Sequence, residues 1–148
     1  MFRQFVAWSL RGLLLGGSVF VSGCTLCGPS TSAVTFEFLH GAGKVPTTFI
    51  ASTSDPKVVA LARQELAKPP QERRLIIIGP IERDASGENR PWHWRFRRSK
   101  WHLAEMTMEL CDGHPTYVEE NLDSWLKSPI TYCPWAARLS KEVPAQVK

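Results

Sequence analysis

The run Val21-Ser22-Gly23-Cys24 sets the limits within which this chain folds. Ahead of it stand a basic start with Arg3 and Arg11 and a short apolar stretch, Leu13 to Phe20, and the junction itself is built of small residues. That layout is an export signal, removed on maturation. The apolar stretch is shorter than the roughly 20 residues a bilayer-spanning helix needs. Removal of Met1 to Gly23 leaves 125 residues, enough for one core and too few for two. Arg3 and Arg11 depart with the leader, so 18 basic residues become 16 against 14 acidic ones and the net charge falls to +2. Such an excess argues weakly for an anionic partner, and nucleic acid is not expected for an exported chain.

The junction resembles the lipobox of bacterial lipoproteins, which implies that Cys24 is acylated on sulfur and becomes the new N-terminus. Each buried methylene contributes about 0.8 kcal/mol, so several acyl chains on one residue make a stable membrane anchor without a spanning helix. Thr25 follows the cysteine where an Asp would mark inner-membrane retention, which favours the outer membrane, facing periplasm or surface. Residues 24–33, rich in Gly, Pro, Ser and Thr, read as a flexible tether. Residues 34–143 form the domain and 144–148 a short tail.

An oxidising compartment lets Cys111 and Cys133 pair, closing a loop of about 20 residues. Cys27 is then left over. Cys24-Thr25-Leu26-Cys27 has the spacing of a redox or zinc pair, but a thioether-linked cysteine serves neither purpose.

Along the domain, Val34 to Leu39 alternates like a half-buried strand, and the Gly41-Ala42-Gly43 turn leads to a partner at Thr47 to Ile50. Asp55-Pro56 starts a helix, with Val58, Val59, Ala62 and Leu66 on one face and Pro69-Pro70 as the stop. Leu75 to Ile78 is a central strand covered on both sides, bent at Gly79-Pro80. Trp92, Trp94 and Phe96 then alternate with His93, Arg95 and Arg97, aromatic on one face and basic on the other. Ala104, Met106, Met108 and Leu110 repeat that period and predict another strand. Gly113-His114-Pro115 opens a second helix whose apolar face is Val118, Leu122, Trp125 and Leu126. The expected fold is α+β, a single domain with a mostly antiparallel sheet of about five strands and two helices packed on it.

Pro69-Pro70, Arg73-Arg74-Leu75, Gly79-Pro80-Ile81, Asn89, Trp92-His93-Trp94, Trp101, Ala104-Glu105, Glu109-Leu110-Cys111-Asp112-Gly113, Pro115, Val118-Glu119, Leu122-Asp123, Trp125 and Cys133-Pro134-Trp135 together resemble a small secreted bacterial domain. That domain also forms the N-terminus of a slime-mould calmodulin-binding protein. The resemblance spans about Val34 to Val143 and implies no catalytic role. The family pattern places a histidine after its Trp-x-Trp, where this chain has Arg95, so an activity resting on that imidazole is not expected. Calmodulin binding is not carried over to a bacterial lipoprotein.

Charge is segregated along the chain. Arg73 to Lys100 holds eight basic and three acidic residues, whereas Glu105 to Asp123 holds six acids and no Lys or Arg. Neighbouring elements that neutralise one another account for this most simply. Glu109, Asp112 and Glu119 are the weak candidates for a metal or a carboxylate-based reaction, with His93, His102 and His114 as further donors. Their structural alternative is an ion pair for Glu109, a turn for Asp112 and a helix start for Glu119. His40-Gly41-Ala42-Gly43-Lys44 lacks the spacing of a P-loop, and no Gly-x-Ser-x-Gly is present. Trp92, His93, Arg95, Arg97 and Trp135 make the candidate ligand surface, suited to an anionic envelope component or protein. The expectation is a lipid-anchored envelope domain that acts by binding, with no cofactor. A metal-dependent or carboxylate-using enzyme centred on Glu109 and Asp112 is the alternative, and a structural accessory of an envelope complex the second.

Overall fold

Alternating side chains in Val34–His40 form β1, which turns Phe36, Phe38 and His40 inward. A computed structural model describes residues 32–41, 45–107, 110–127 and 131–144 of the chain. The leader and most of the tether, with Cys24 and Cys27, therefore lie outside the described residues, as do Met108 and Glu109. β2 (Thr47–Thr53) returns antiparallel with Phe38 opposite Phe49, their rings stacked at 5.4 Å. The predicted hairpin is thus present. Asp55 caps α1 (Pro56–Leu66) by accepting the Lys57 N–H at 2.8 Å, with Pro56 in the first turn.

β3 (Ile76–Arg83) is the spine of the second sheet. It pairs antiparallel with β4 (Trp94–Phe96), β5 (His102–Ala104) and the two-residue β6 (Thr131–Tyr132). The strand runs through Gly79-Pro80 to Arg83. Ile77 and Ile81 enter the main core beside Phe36, Phe38, Trp94, Phe96 and Tyr132, while Ile76 and Ile78 meet Cys111 and Cys133 on the other face. Both faces are covered, as the unbroken apolar run predicts. Gly79 is required by packing: a Cβ there would lie 2.6 Å from Cβ of Trp101, which crosses β3 edge-on to Phe36 and Phe38.

The predicted Cys111–Cys133 disulfide is formed. It closes a loop over a sequence separation of 22 and shields the second face of β3. Reduction is expected to cost about 3 kcal/mol by loop entropy, seen as a lower urea midpoint with reductant than without.

The first sheet has the order β2, β1, β7, where β7 (Ala137–Val143) is a strand with no counterpart in the sequence reading. Side chains close both of its edges. On β2, Thr48 O accepts the Trp92 indole N–H (2.7 Å) and Ser52 O accepts that of Trp101 (3.0 Å). Ile50 N–H donates to Asn89 Oδ1 (2.7 Å) and Ser54 N–H to Ser99 Oγ (2.9 Å). On β7, the Arg73 guanidinium donates to Leu139 O and Ser140 O at 2.9 and 3.0 Å, and also to Leu66 O and Lys68 O at and beyond the end of α1. Backbone groups so occupied are withheld from a further strand.

Two expectations are corrected. The strand predicted through Ala104, Met106, Met108 and Leu110 ends at Ala104, and Met106 and Leu110 stand exposed. Ala104 pairs with Ile76, the first residue of β3, so the next positions would face Leu75 and Arg74. The backbone N–H groups of both already donate to Glu65 Oε1, and no ladder can extend there. The second helix is broken into α2 (Pro115–Glu120) and α3 (Leu122–Lys127). Asn121 leaves helical geometry at φ −119°, ψ 25°, and its side-chain amide donates to the Tyr117 carbonyl at 2.9 Å. Val118 and Leu122 still reach the core. The described residues thus hold seven strands and three α-helices in one compact α+β unit, Thr31–Lys148.

Candidate functional site

The basic face of β4 is compensated from within. Arg95 donates to Glu82 and to Glu88, each at 3.0 Å. Arg98 pairs with Glu88, and Arg97 lies 3.9 Å from Glu82. Arg83 reaches across to Asp123. These pairs are partly to largely exposed and contribute little to stability, but they fill the positive field an anionic ligand would seek. Trp92 is half-buried with its indole N–H spent on β2, and Trp94 is fully buried among Phe49, Phe96 and Tyr132. Of the aromatic residues of β4 and the turn before it, Trp94 and Phe96 are core and Trp92 is half-buried.

His93 stands at the start of this segment with its side chain largely in solvent. Its backbone N–H donates to Glu119 Oε2 at 2.9 Å, and its ring Nδ1 meets Glu119 Oε1. Both oxygens of Glu119 are therefore committed to one residue. Among the described residues, no group of three or more His, Cys, Asp or Glu side chains converges as a metal would require. Asp112 is engaged elsewhere, its Oδ1 accepting the Trp135 N–H at 2.8 Å. Tyr132 donates to Gly113 O at 2.9 Å, and burial, with a further push from the Asp112 charge, drives its phenol far above the ordinary range. It holds its proton at any ordinary pH.

Asp112 and the disulfide fix the approach to Trp135, whose side chain remains 46% exposed. Trp135 lines a groove of about 300 Å³ with Ile76, Glu105, Met106, Thr107 and Arg138. Burial and then the nearby Arg74 charge pull the Arg138 pKa below its usual value. Its Nη1 donates to Trp135 O and Ala137 O, which pins the guanidinium along the groove wall. Leu110, Asp112, Tyr117 and Trp125 line a separate groove of about 310 Å³. Met106 is 77% and Leu110 101% exposed; Met106 shares the groove of Trp135, and Leu110 directly precedes Cys111 of the disulfide. Large apolar side chains left in solvent make this region the candidate contact surface. Sequence reasoning missed Met106 and Leu110 because their period of two reads as a strand with one buried face.

The predicted ligand surface is also divided. The basic row pairs with Ile81 to Arg83, whereas Trp135 shares its groove with Ile76 at the other end of β3, about 20 Å away at the strand rise of roughly 3.3 Å per residue.

The residues that carry the family resemblance have internal duties. Arg73, Asn89, Trp92 and Trp101 close sheet edges, Gly79 admits Trp101, and Asp112 holds the chain at Trp135. The family model described as the BP-74 N-terminal domain matches residues 32–146. No curated protein and no solved structure matches the chain.

Proposed function

The chain belongs to the BP-74 N-terminal domain family, and from that premise we propose that it is a binding module of the bacterial cell envelope, tethered by lipid on Cys24 and without a reaction centre of its own. The observation that carries this reading is the division of labour on its surface. Arg95, Glu82, Glu88, His93 and Glu119 about β4 and α2 are paired with one another, while Met106, Leu110 and Trp135 stand in solvent. An enzyme needs a group left poised for chemistry in a concave site, and Asp112 and Glu119 are bound up in internal hydrogen bonds. The small-residue junction at Cys24 supports the anchor, and the buried disulfide suits an oxidising compartment.

Native mass spectrometry of the full chain, expressed in a bacterial host and extracted from its membranes in mild detergent, tests the reading. The expected species begins at an acylated Cys24, holds one disulfide and has the same mass before and after a chelator. A metal lost to the chelator would restore the enzyme centred on Glu109 and Asp112, and an unacylated chain cleaved elsewhere would remove the anchor.

A further inference from the structure

We propose that the Met106, Leu110 and Trp135 surface rests on the phospholipid bilayer, so that the domain lies against the membrane to which its tether leads. This rests on the lipid-anchor reading above and adds the orientation and the contact. Trp135 is the side chain suited to the boundary between headgroups and acyl chains, with an apolar ring body and one polar N–H. Met106, which shares the groove of Trp135, and Leu110, which precedes Cys111 of the disulfide, have no side-chain N–H or O–H to satisfy, and both stand in solvent. The neighbouring Arg138 holds a cation at the groove wall, where a lipid phosphate could meet it.

With Cys24 held in lipid, the chain before β1 keeps the bilayer within reach of this surface, which is why it is the occupant proposed. Ten residues, 24–33, separate the leader from Val34, a reach of at most roughly 35 Å when extended. Trp135 lies just before Ala137, which pairs with His40 at the far end of β1, about 20 Å from Val34 at the strand rise. The tether is long enough to let that end of the domain meet the surface, and tethering raises the local concentration so that a weak contact suffices.

The test uses the unit Thr31–Lys148, which contains every described element and is matched by the family model over 32–146. Without Cys24 it carries no lipid, so the outcome is independent of whether the anchor exists. Flotation with vesicles of phosphatidylethanolamine and a minority of phosphatidylglycerol is expected to carry a measurable fraction of the wild-type unit. Met106→Ser, Leu110→Ser and Trp135→Ala together should lower the partition coefficient at least tenfold, the scale of several methylenes leaving lipid at about 0.8 kcal/mol each. Trp135→Ala alone should give a smaller loss, and an unchanged near-ultraviolet spectrum checks folding in each variant. Partitioning should persist at about 0.5 M salt, where surface charges are screened. No flotation of the wild type overturns the proposal, as does equal flotation of the triple variant. Flotation abolished by salt would overturn it by assigning the contact to the basic strand. A wild-type unit that dimerises through this surface without floating would make a second copy the occupant.

Discussion

Glu65→Ala is expected to cost about 4 kcal/mol of folding stability, the largest effect of any single substitution considered, because it strands two backbone donors beneath a helix. The Glu65 side chain is 1% exposed. Its Oε1 accepts the N–H groups of Arg74 and Leu75, and its Oε2 accepts Lys68 Nζ at 2.7 Å. Burial alone would push the Glu65 carboxyl up. The Lys68 bond and the two backbone donors outweigh it and hold the pKa below its ordinary 4.5. Glu65→Gln keeps an oxygen at the Oε1 position for the two backbone donors but turns its NH2 toward Lys68 Nζ, losing that hydrogen bond along with the charge, so it should cost about 1–2 kcal/mol, well short of alanine. Because the folded-state pKa is depressed, the stabilisation is fully present above pH 4.5 and is lost as pH falls through the folded value. Asp84, also held below its ordinary 3.8 against the cost of burial by Asn89 and Ser86 donors, adds to the same acid-side loss. Urea midpoints measured across that range should fall for the wild type and fall less for Glu65→Gln.

Asn89→Ala is expected to cost about 3 kcal/mol, from two orphaned backbone groups at roughly 1–3 kcal/mol each with partial relaxation. Asn89 is buried between the sheets. Its Oδ1 accepts Ile50 N–H on β2 and its Nδ2 donates to Trp94 O on β4, each at 2.7 Å. Asp84 fixes it from below by accepting its backbone N–H at 2.6 Å. Asn89→Asp removes the donor to Trp94 and buries a charge, so it should be no milder than alanine. The free edge of β2 would then be opened, and the variant should aggregate on standing where Glu65→Gln does not.

The elements legible in the sequence are those whose signal is local. The β1–β2 hairpin announces itself by alternation about a turn, α1 by Asp55-Pro56 and an apolar stripe, and β3 by an unbroken run of Leu and Ile. The disulfide follows from compartment and spacing. What stayed hidden depends on contacts distant in sequence. In β7 the alternation of Ala137 and Leu139 breaks where the pairing with β1 shifts register between Glu37 and Phe38, leaving the polar run Ser140-Lys141-Glu142 without a strand period. The false strand through Met106 and Leu110 has the right period but no partner, because a carboxylate on α1 occupies the backbone beside it. Glu65 itself is the one local clue. It falls on the same helical stripe as Val58 and Ala62, and a charge on such a stripe asks for buried donors.

The site was legible as residue types and not as an arrangement. Trp135 was marked by its place beside Cys133, and the structure leaves it exposed. Arg95 and Arg97 were marked by alternation, and their acids, Glu82 and Glu88, lie on the partner strand and the loop between, invisible to a period count. The residues of the family resemblance therefore report mainly on how the fold is closed, and the proposed contact surface includes Met106, which lies outside that pattern.

Equilibrium urea unfolding of the Thr31–Lys148 unit, comparing Asn89→Ala with Trp135→Ala, tests this division most directly. The prediction is a large fall in midpoint for Asn89→Ala and a shift within about 0.5 kcal/mol for Trp135→Ala, as for an exposed side chain that packs on little. A Trp135→Ala variant as unstable as Asn89→Ala would place Trp135 in the framework and contradict its assignment to the contact surface.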